Sequence, residues 1–553
     1  MRLFFSAIGA FTLFGCFAHT GPAEEAGAPS EEAEDAVVVS GARVARGALK
    51  SQAPGISASS GIAYFASPQA RLSEQINTER YEAGDPNPVK LAAKEPLSTF
   101  SADVDTASYA VARRYIQNNN NLPPSDAIRV EELVNYFDYD YASAGSAKSP
   151  FKPTVWVTPS PWREGAKLMH IGVKGYNIEP EETPAANIVF LLDVSGSMGA
   201  ENKLPLVKKS VELMLKQLDK NDTVAIVVYA GAAGVVLKPT RGSQKSTITE
   251  ALNQLESGGS TAGGEGLALA YTLAEENFAP DKVNRIILAS DGDFNVGVVD
   301  EGTLEDFVAR KRETGIYLTI LGFGAGNYND VMAQRLAQAG NGTAAYIDTL
   351  REARKVLVRE FRSTVFPIAR DLKFQVEFNP AVVSEYRLIG YETRLLNDED
   401  FNNDAVDAGD IGSGHTVTAL YEIVLVGSDA RLIDDLRYQA QPAPDGPKTE
   451  IAFLKLRYKL PKADESTLIT APVRVDEQFD TLSAAPDDAQ FAAAVAAFGQ
   501  KLNESGQTQG YSYDAIMDLA KNAKGEDPHG DRAEFIEIVR TAASIDGARE
   551  ESP

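Results

Sequence analysis

Three short stretches of this chain place small oxygen-bearing side chains where they could do chemistry together. "NIVFLLDVSGSMG" ends an apolar run in Asp193 and sets Ser195 and Ser197 at alternate positions after it. "ESGGSTAGGEG" puts Thr261 in a glycine-rich loop directly before a helical pattern, and "RIILASDGD" ends a second apolar run in Asp291. Two carboxylates and three hydroxyls are hard donors carrying little negative charge, a set that suits Mg²⁺, with Mn²⁺ or Ca²⁺ as alternatives. Magnesium demands octahedral geometry and keeps waters, so a shell this sparse leaves a coordination position open. A cation held mostly by neutral hydroxyls retains enough charge to bind a carboxylate from another molecule. The bland reading of the same residues is that Asp193 and Ser195 cap a helix and that "GGSTAGG" is only a turn.

The elements that would position these groups lie between residues 185 and 365. "NIVFLLD", "TVAIVVYA", "RIILASD" and "IYLTILGFG" are short continuous apolar runs. Helical patterns separate them, as where Val207, Val211, Met214 and Leu218 form one face. Strands buried on both faces and alternating with helices predict a doubly wound, mostly parallel sheet. Ligands of such sheets sit outside the carboxyl ends of the strands, where Asp193 and Asp291 emerge.

The flanks read differently. "FKPTVWVTPSP" and "KLMHIGVKGYNI" precede the centre; "DLKFQVEFNP", "HTVTALYEIVLV" and "FLKLRYKL" follow it. The last alternates Leu454, Leu456, Tyr458 and Leu460 with Lys455, Arg457 and Lys459, the mark of a half-buried strand. Strands from both sides are expected to join one antiparallel sandwich into which the α/β domain is inserted; two separate β-domains are the alternative. Phe491, Val495, Phe498 and Leu502, then Phe535, Ile536 and Val539, mark C-terminal helices. "SADVDTASYAVARRYIQ" reads as a helix carrying Tyr109, Ala112 and Ile116, capped by Asp105 or Thr106. The expected organisation is a signal peptide over 1–15, a tether over 16–95, a helical and β segment over 96–184 and the α/β domain over 185–365. A sandwich-like domain over 366–480, sharing strands of 150–184, and a helical region over 481–553 complete it.

The formal net charge of −25 argues against binding nucleic acid or anionic lipid headgroups. At the N-terminus, Arg2 and the apolar run Leu3–Phe14 read as a secretory signal too short to span a bilayer. Cys16, the only cysteine, follows Leu13, Phe14 and Gly15, an arrangement similar to the bacterial lipobox, although Phe14 is bulky for its place. The expectation is an acylated Cys16 anchoring the protein in the cell envelope. Phe17, in place of aspartate after the cysteine, points by resemblance to the outer membrane. "DGDFNVG" fails as a calcium loop because Val296 and Gly302 stand where glycine and glutamate are needed. "GGSTAGGEG" lacks the lysine of a phosphate-binding loop, so no nucleotide is expected. Of four histidines none follows a nucleophile motif; His170, His415 and His529 read as ordinary hydrogen-bonded or exposed residues, and no catalytic base is found.

Asp193-x-Ser195-x-Ser197, Thr261 and Asp291 in "SDG" together resemble the metal-ion-dependent adhesion site of von Willebrand factor A domains. "PLSTFSADVDTASYA", "IRVEELVNYFDYDY", "IVVYAGAAG", "SDGDFNVGV", "LGFGAGN" and "HTVTALYEI" resemble more narrowly the bacterial YfbK-type proteins of that class, over roughly residues 96–545. The resemblance implies that Ser195, Ser197 and Thr261 coordinate directly, while Asp193 and Asp291 act directly or through water. It also implies that engagement of Thr261 differs between liganded and free forms. The expected function is capture of a protein partner whose Glu or Asp carboxylate completes the metal shell, without catalysis. The alternatives are an accessory subunit of an enzyme assembly or a metal-dependent hydrolase, and an envelope protein whose metal only stabilises loops.

Overall fold

Thr416–Leu425, buried almost throughout, pairs antiparallel with Ala166–Lys174, a strand from the other side of the α/β domain, with Leu420 opposite His170. That pairing makes the α/β domain an insertion. The computed structural model describes residues 77–550 apart from 103–104, 180–182, 261–262, 293–300, 435–445 and 509. The signal and lipidation readings, Cys16 included, and that of Thr261 therefore lie outside the described residues.

The inserted domain carries a six-stranded sheet. Its order is Ala344–Ile347, Ile316–Phe323, Val283–Ser290, Ala186–Asp193, Thr223–Tyr229 and Ala233–Arg241. All neighbours are parallel except the last pair, where Ala233–Arg241 returns antiparallel as a largely solvated edge. Ala186–Asp193 is central and buried at every residue, as a run with no alternation requires. Leu204–Leu215 packs Val207, Val211 and Met214 on one face of the sheet, and Gly263–Glu276 packs Leu267, Ala270 and Tyr271 on the other.

Two antiparallel sheets form the sandwich. One runs Lys90–Leu91, Val383–Ile389, Thr416–Leu425, Ala166–Lys174, Thr154–Pro159; the other runs Gly409–Gly412, Pro367–Phe378, Glu450–Lys459, Thr467–Arg474. Leu97–Ser101 also pairs with Pro367–Phe378. Phe100, Phe374, Phe378, Tyr386 and Tyr421 pack between the sheets. Leu454, Leu456 and Tyr458 point inward, whereas Lys455, Arg457 and Lys459 pair with Glu377, Asp404 and Asp371. Helices Asp487–Leu502, Tyr513–Asn522 and Asp531–Glu550 cover the outer face of the first sheet through Phe491, Phe498 and Phe535. Where the chain enters and leaves the insertion, the Arg362 guanidinium donates to the Ile178 carbonyl at 3.0 Å.

Several expectations are corrected. The tether does not extend to residue 95: from Asn77 the chain is held by hydrogen bonds, Asn87 lies buried against the carbonyls of Leu388 and Gly390, and Lys90–Leu91 joins a sheet. Helix Ala107–Arg113 has Thr106 at its N-cap position with no side-chain cap. Asp105 instead accepts from the Ala344 N–H at 2.8 Å and faces Arg394 at 3.3 Å, joining three parts of the fold. Every residue of this helix is buried, because Tyr109 and Ala112 belong to the core beneath the C-terminal helices while Ala107, Ala110 and Val111 enter the core of the inserted domain. His170 is neither exposed nor hydrogen-bonded: it is 1% exposed with no partner on either ring nitrogen. Burial pushes its pKa down to about 3, so it is neutral.

Candidate metal centre

Asp193 is the last residue of its strand and Asp291 follows Val283–Ser290, the adjacent parallel strand, so the sheet register itself brings the two carboxylates to one edge. Both are fully buried. The Ser195 N–H donates to Asp193 Oδ1 at 2.8 Å and the Ser195 and Ser197 hydroxyls lie 3.0 Å apart. Ser195 is buried and Ser197 stands exposed on the rim. The Ser290 hydroxyl reaches toward Asp193 Oδ2 at 3.4 Å, and the Tyr229 and Ser197 hydroxyls bear on Asp193 and Asp291 respectively.

The third loop meets the first through its backbone. The Gly196 N–H donates to the Gly259 carbonyl at 3.0 Å, and the Gly258 N–H to the Val194 carbonyl at 2.8 Å. The segment leading into Thr261 is thereby fastened to the Asp193–Ser197 turn. A fourth loop, "GAGNYN" after Ile316–Phe323, closes the edge behind Asp291. Gly292, with φ +100°, lies so close to it that an added Cβ would stand 2.4 Å from Tyr328 Cα, which excludes any larger residue. From this loop Asn327 accepts a hydrogen bond from Lys203, whose ammonium also donates to Asp291 Oδ2 at 2.8 Å.

The two carboxylates are compensated unequally. Burial raises the Asp193 pKa to about 6 and the neighbouring Asp291 adds to that, against the pull of the Ser195 N–H. Asp193 makes no ion pair among the described residues. Burial alone would raise Asp291 too, but the hydrogen bond and charge of Lys203 hold it below the usual carboxylate range.

The chain has relatives among known proteins. Residues 187–358 match the von Willebrand factor type A domain family, and residues 75–170 match a family described as von Willebrand factor. Residues 363–545 match the family described as uncharacterized protein YfbK, C-terminal. Uncharacterized protein YfbK of Escherichia coli (strain K12) is 46% identical over 480 residues, covering 85% of this chain and 82% of that protein. The chain belongs to the YfbK family.

More distant similarity reaches inter-alpha-trypsin inhibitor heavy chain H2 of Mesocricetus auratus, 27% identical over 196 residues, which are 34% of this chain and 20% of that one. Among solved structures, von Willebrand factor type A from Catenulispora acidiphila aligns with a TM-score of 0.41 at 16% identity, covering 73% of this chain and 91% of that one. None of the matched families is described as an enzyme family. In this YfbK-family chain a divalent ion fits the donor set: a buried carboxylate without a counter-charge stands beside two hydroxyls, one of them open to solvent. Among the described residues no group of three or more His, Cys, Asp or Glu side chains forms a conventional cage. Reading the sequence missed Lys203 and Asn327. The signal for both was present, since Lys203 closes the same glycine-rich stretch as Ser197, and Asn327 ends "LGFGAGN" at another strand's carboxyl end.

Proposed function

We propose that this protein binds an acidic protein partner through a divalent cation, Mg²⁺ first among the candidates, held by Ser195 and Ser197 with Asp193 and Asp291 and with Thr261 as the third hydroxyl. When bound, the ion supplies an open Lewis-acid position for a Glu or Asp carboxylate of the partner. The residues of this chain do the rest: the sheet register sets the two aspartates side by side, the Ser195 N–H fixes the rotamer of Asp193, and exposed Ser197 marks the face from which the partner approaches. The observation that carries this reading is Asp193, a fully buried carboxylate with no ion pair among the described residues. Such a group is costly unless a cation or proton accompanies it. The protein would act from the envelope, acylated at Cys16 and most simply in the outer membrane; Cys16→Ser should then shift it from the membrane fraction to the soluble one on fractionation.

The deciding experiment compares wild type with Asp193→Ala. Saturating Mg²⁺ at a hundredfold excess over Kd stabilises the wild type by about 2.7 kcal/mol, read by calorimetry, and leaves the variant unmoved. Affinity capture from envelope extracts should yield a partner that is lost in EDTA and lost with the variant. A partner retained by Asp193→Ala in EDTA would sink the proposal.

A further inference from the structure

A short run of chain far from the site in sequence fixes the loop behind Asp291. Residues 78–80 lie along residues 326–330 as a strap. The Thr78 N–H donates to the Gly326 carbonyl at 2.8 Å, the Arg80 N–H to the Tyr328 carbonyl at 3.0 Å, and the Asp330 N–H to the Arg80 carbonyl at 3.0 Å. The Thr78 hydroxyl adds a bond to the Gly326 carbonyl at 3.1 Å, and the Gly326 N–H donates to Glu79 Oε1 at 2.8 Å. Glu79 is itself immobilised. Its side chain is 1% exposed and accepts from Arg114 at 2.7 and 2.9 Å, from the Tyr115 hydroxyl at 2.8 Å and from the Tyr81 hydroxyl at 2.9 Å. Asn327 thus stands between two pinned residues. Its Oδ1 accepts from the Lys203 ammonium at 3.2 Å, and its amide N–H bears on the Asp291 carboxylate. The same loop presses on Gly292, where an added Cβ would lie 2.6 Å from the Asn327 carbonyl oxygen.

We propose that Glu79 is a positioning residue of the metal centre, holding Gly326 and, through it and Asn327, the orientation of the Asp291 carboxylate. This deepens the metal-dependent reading above and rests on it. Two consequences of the geometry carry the argument. First, the loop does not supply its own order. Gly324 and Gly326, with φ of +78° and +96°, leave its backbone free to turn, and both the N–H and the carbonyl of Gly326 are met by the strap. Second, Asn327 meets a metal-site carboxylate from behind. Groups that bond a ligand in this way set its orientation, and losing one costs roughly 10–100-fold in metal affinity. Asn327 can do this only while its backbone is held, and Glu79 is the fixed point from which it is held. The coupling runs both ways: a cation that orders Asp291 must also tighten the strap.

The test is isothermal titration of the full chain with MgCl₂, comparing wild type, Glu79→Gln, Asn327→Ala, the double variant and Arg312→Met. The last breaks an ion pair with Asp407 just before strand Ile316–Phe323 begins, at the other end of the sheet. Heat lost in Asp193→Ala belongs to this site. Asn327→Ala should weaken Mg²⁺ binding about tenfold, Glu79→Gln roughly threefold to tenfold, and Arg312→Met not at all. The double variant should bind no more weakly than Asn327→Ala, because Glu79 acts through that residue. Hydrogen exchange gives a readout that needs no substitution in the strap. Saturating Mg²⁺ should slow exchange at the Thr78, Arg80 and Gly326 amides of the wild type and leave them unchanged in Asp193→Ala. That measurement decides alone if Glu79→Gln fails to fold. Wild-type affinity in folded Glu79→Gln, an equal loss in Arg312→Met, additive losses in the double variant, or strap amides indifferent to Mg²⁺ each overturn the positioning role and leave the metal site standing. A wild type with no Mg²⁺ heat dependent on Asp193 overturns the metal site itself, and the positioning role with it.

Discussion

The protein buries carboxylates at two places and treats them in opposite ways. Beside helix Ala107–Arg113, the Arg113 guanidinium meets Asp348, Glu352 and Glu534 and also the Tyr136 hydroxyl. Nearby, Arg129 pairs with Glu132 and Asp330, and Arg114 holds Glu79 through two bonds of 2.7 and 2.9 Å. Each buried acid there faces a planar fork of donors that cannot lose its charge. At the other place, Asp193 has only an N–H, hydroxyls and a neighbouring carboxylate, and one lysine serves Asp291 alone. The contrast separates burial that fixes a structure from burial that waits for a ligand. A charge meant to stay is saturated from within, whereas one meant to be met by something exchangeable is left short by about one cation.

The sharpest way to break this comparison is to empty each place in turn. Arg113→Met strands the buried Asp348 and Glu352 carboxylates, leaves Glu534 with Arg351 alone, and should cost about 3–5 kcal/mol by urea denaturation, with no dependence on Mg²⁺. Asp193→Asn, measured without divalent ions, removes an undercompensated charge and should cost under about 1 kcal/mol. If both variants lose the same stability in EDTA, the two places do not differ and the contrast fails. A smaller effect sharpens it. Burial pushes Glu79 up, but the hydrogen bonds and charge of Arg114, with the Gly326 N–H, carry its pKa down to about 2 from 4.5. A carboxyl depressed on folding stabilises the protein above its unfolded pKa and loses that contribution as pH falls through the folded one. The Glu79 contribution should therefore be complete above pH 4.5 and fade toward pH 2. Glu79→Gln should cost about 2 kcal/mol at pH 7 and flatten the acid limb of a stability–pH curve between those values. An acid limb unchanged by Glu79→Gln would show that this pair is not the saturated kind.

Legibility in the sequence followed the range of the interaction. Leu454, Leu456 and Tyr458 announce their strand because alternation is a property of neighbours, and the end of the buried run at Asp193 is equally local. The four rim residues that the structure describes, Asp193, Ser195, Ser197 and Asp291, were readable because each sits at a strand end or in the turn after it. Asp105 was not, since its partners, the Ala344 N–H and Arg394, lie far along the chain and a helix cap explained it equally well. Leu97–Ser101 has too little alternation to declare a strand and owes its conformation to pairing with Pro367–Phe378. Nothing near Arg113 and Arg129 in sequence says that acids will converge on them. Residues 77–95 read as tether for the same reason: their polar composition is answered by a prepared surface at Gly326, Tyr328 and Leu388 rather than by a core of their own.

The hydrogen bond between Arg362 and Ile178 joins residues 184 positions apart and lies where the two ends of the insertion come together. Pairing Ala166–Lys174 with Thr416–Leu425 across the unfolded chain between Lys174 and Thr416 would require closing a still longer, floppy loop, an entropic toll charged before any strand contact forms. Once the α/β unit has collapsed on its own local contacts, its ends already stand side by side, and the loop left to close is only the stretch from Arg362 to Thr416 with a few residues before Ile178. A collapsed guest thus shortens the loop its host must close, and one arginine marks where the two ends meet.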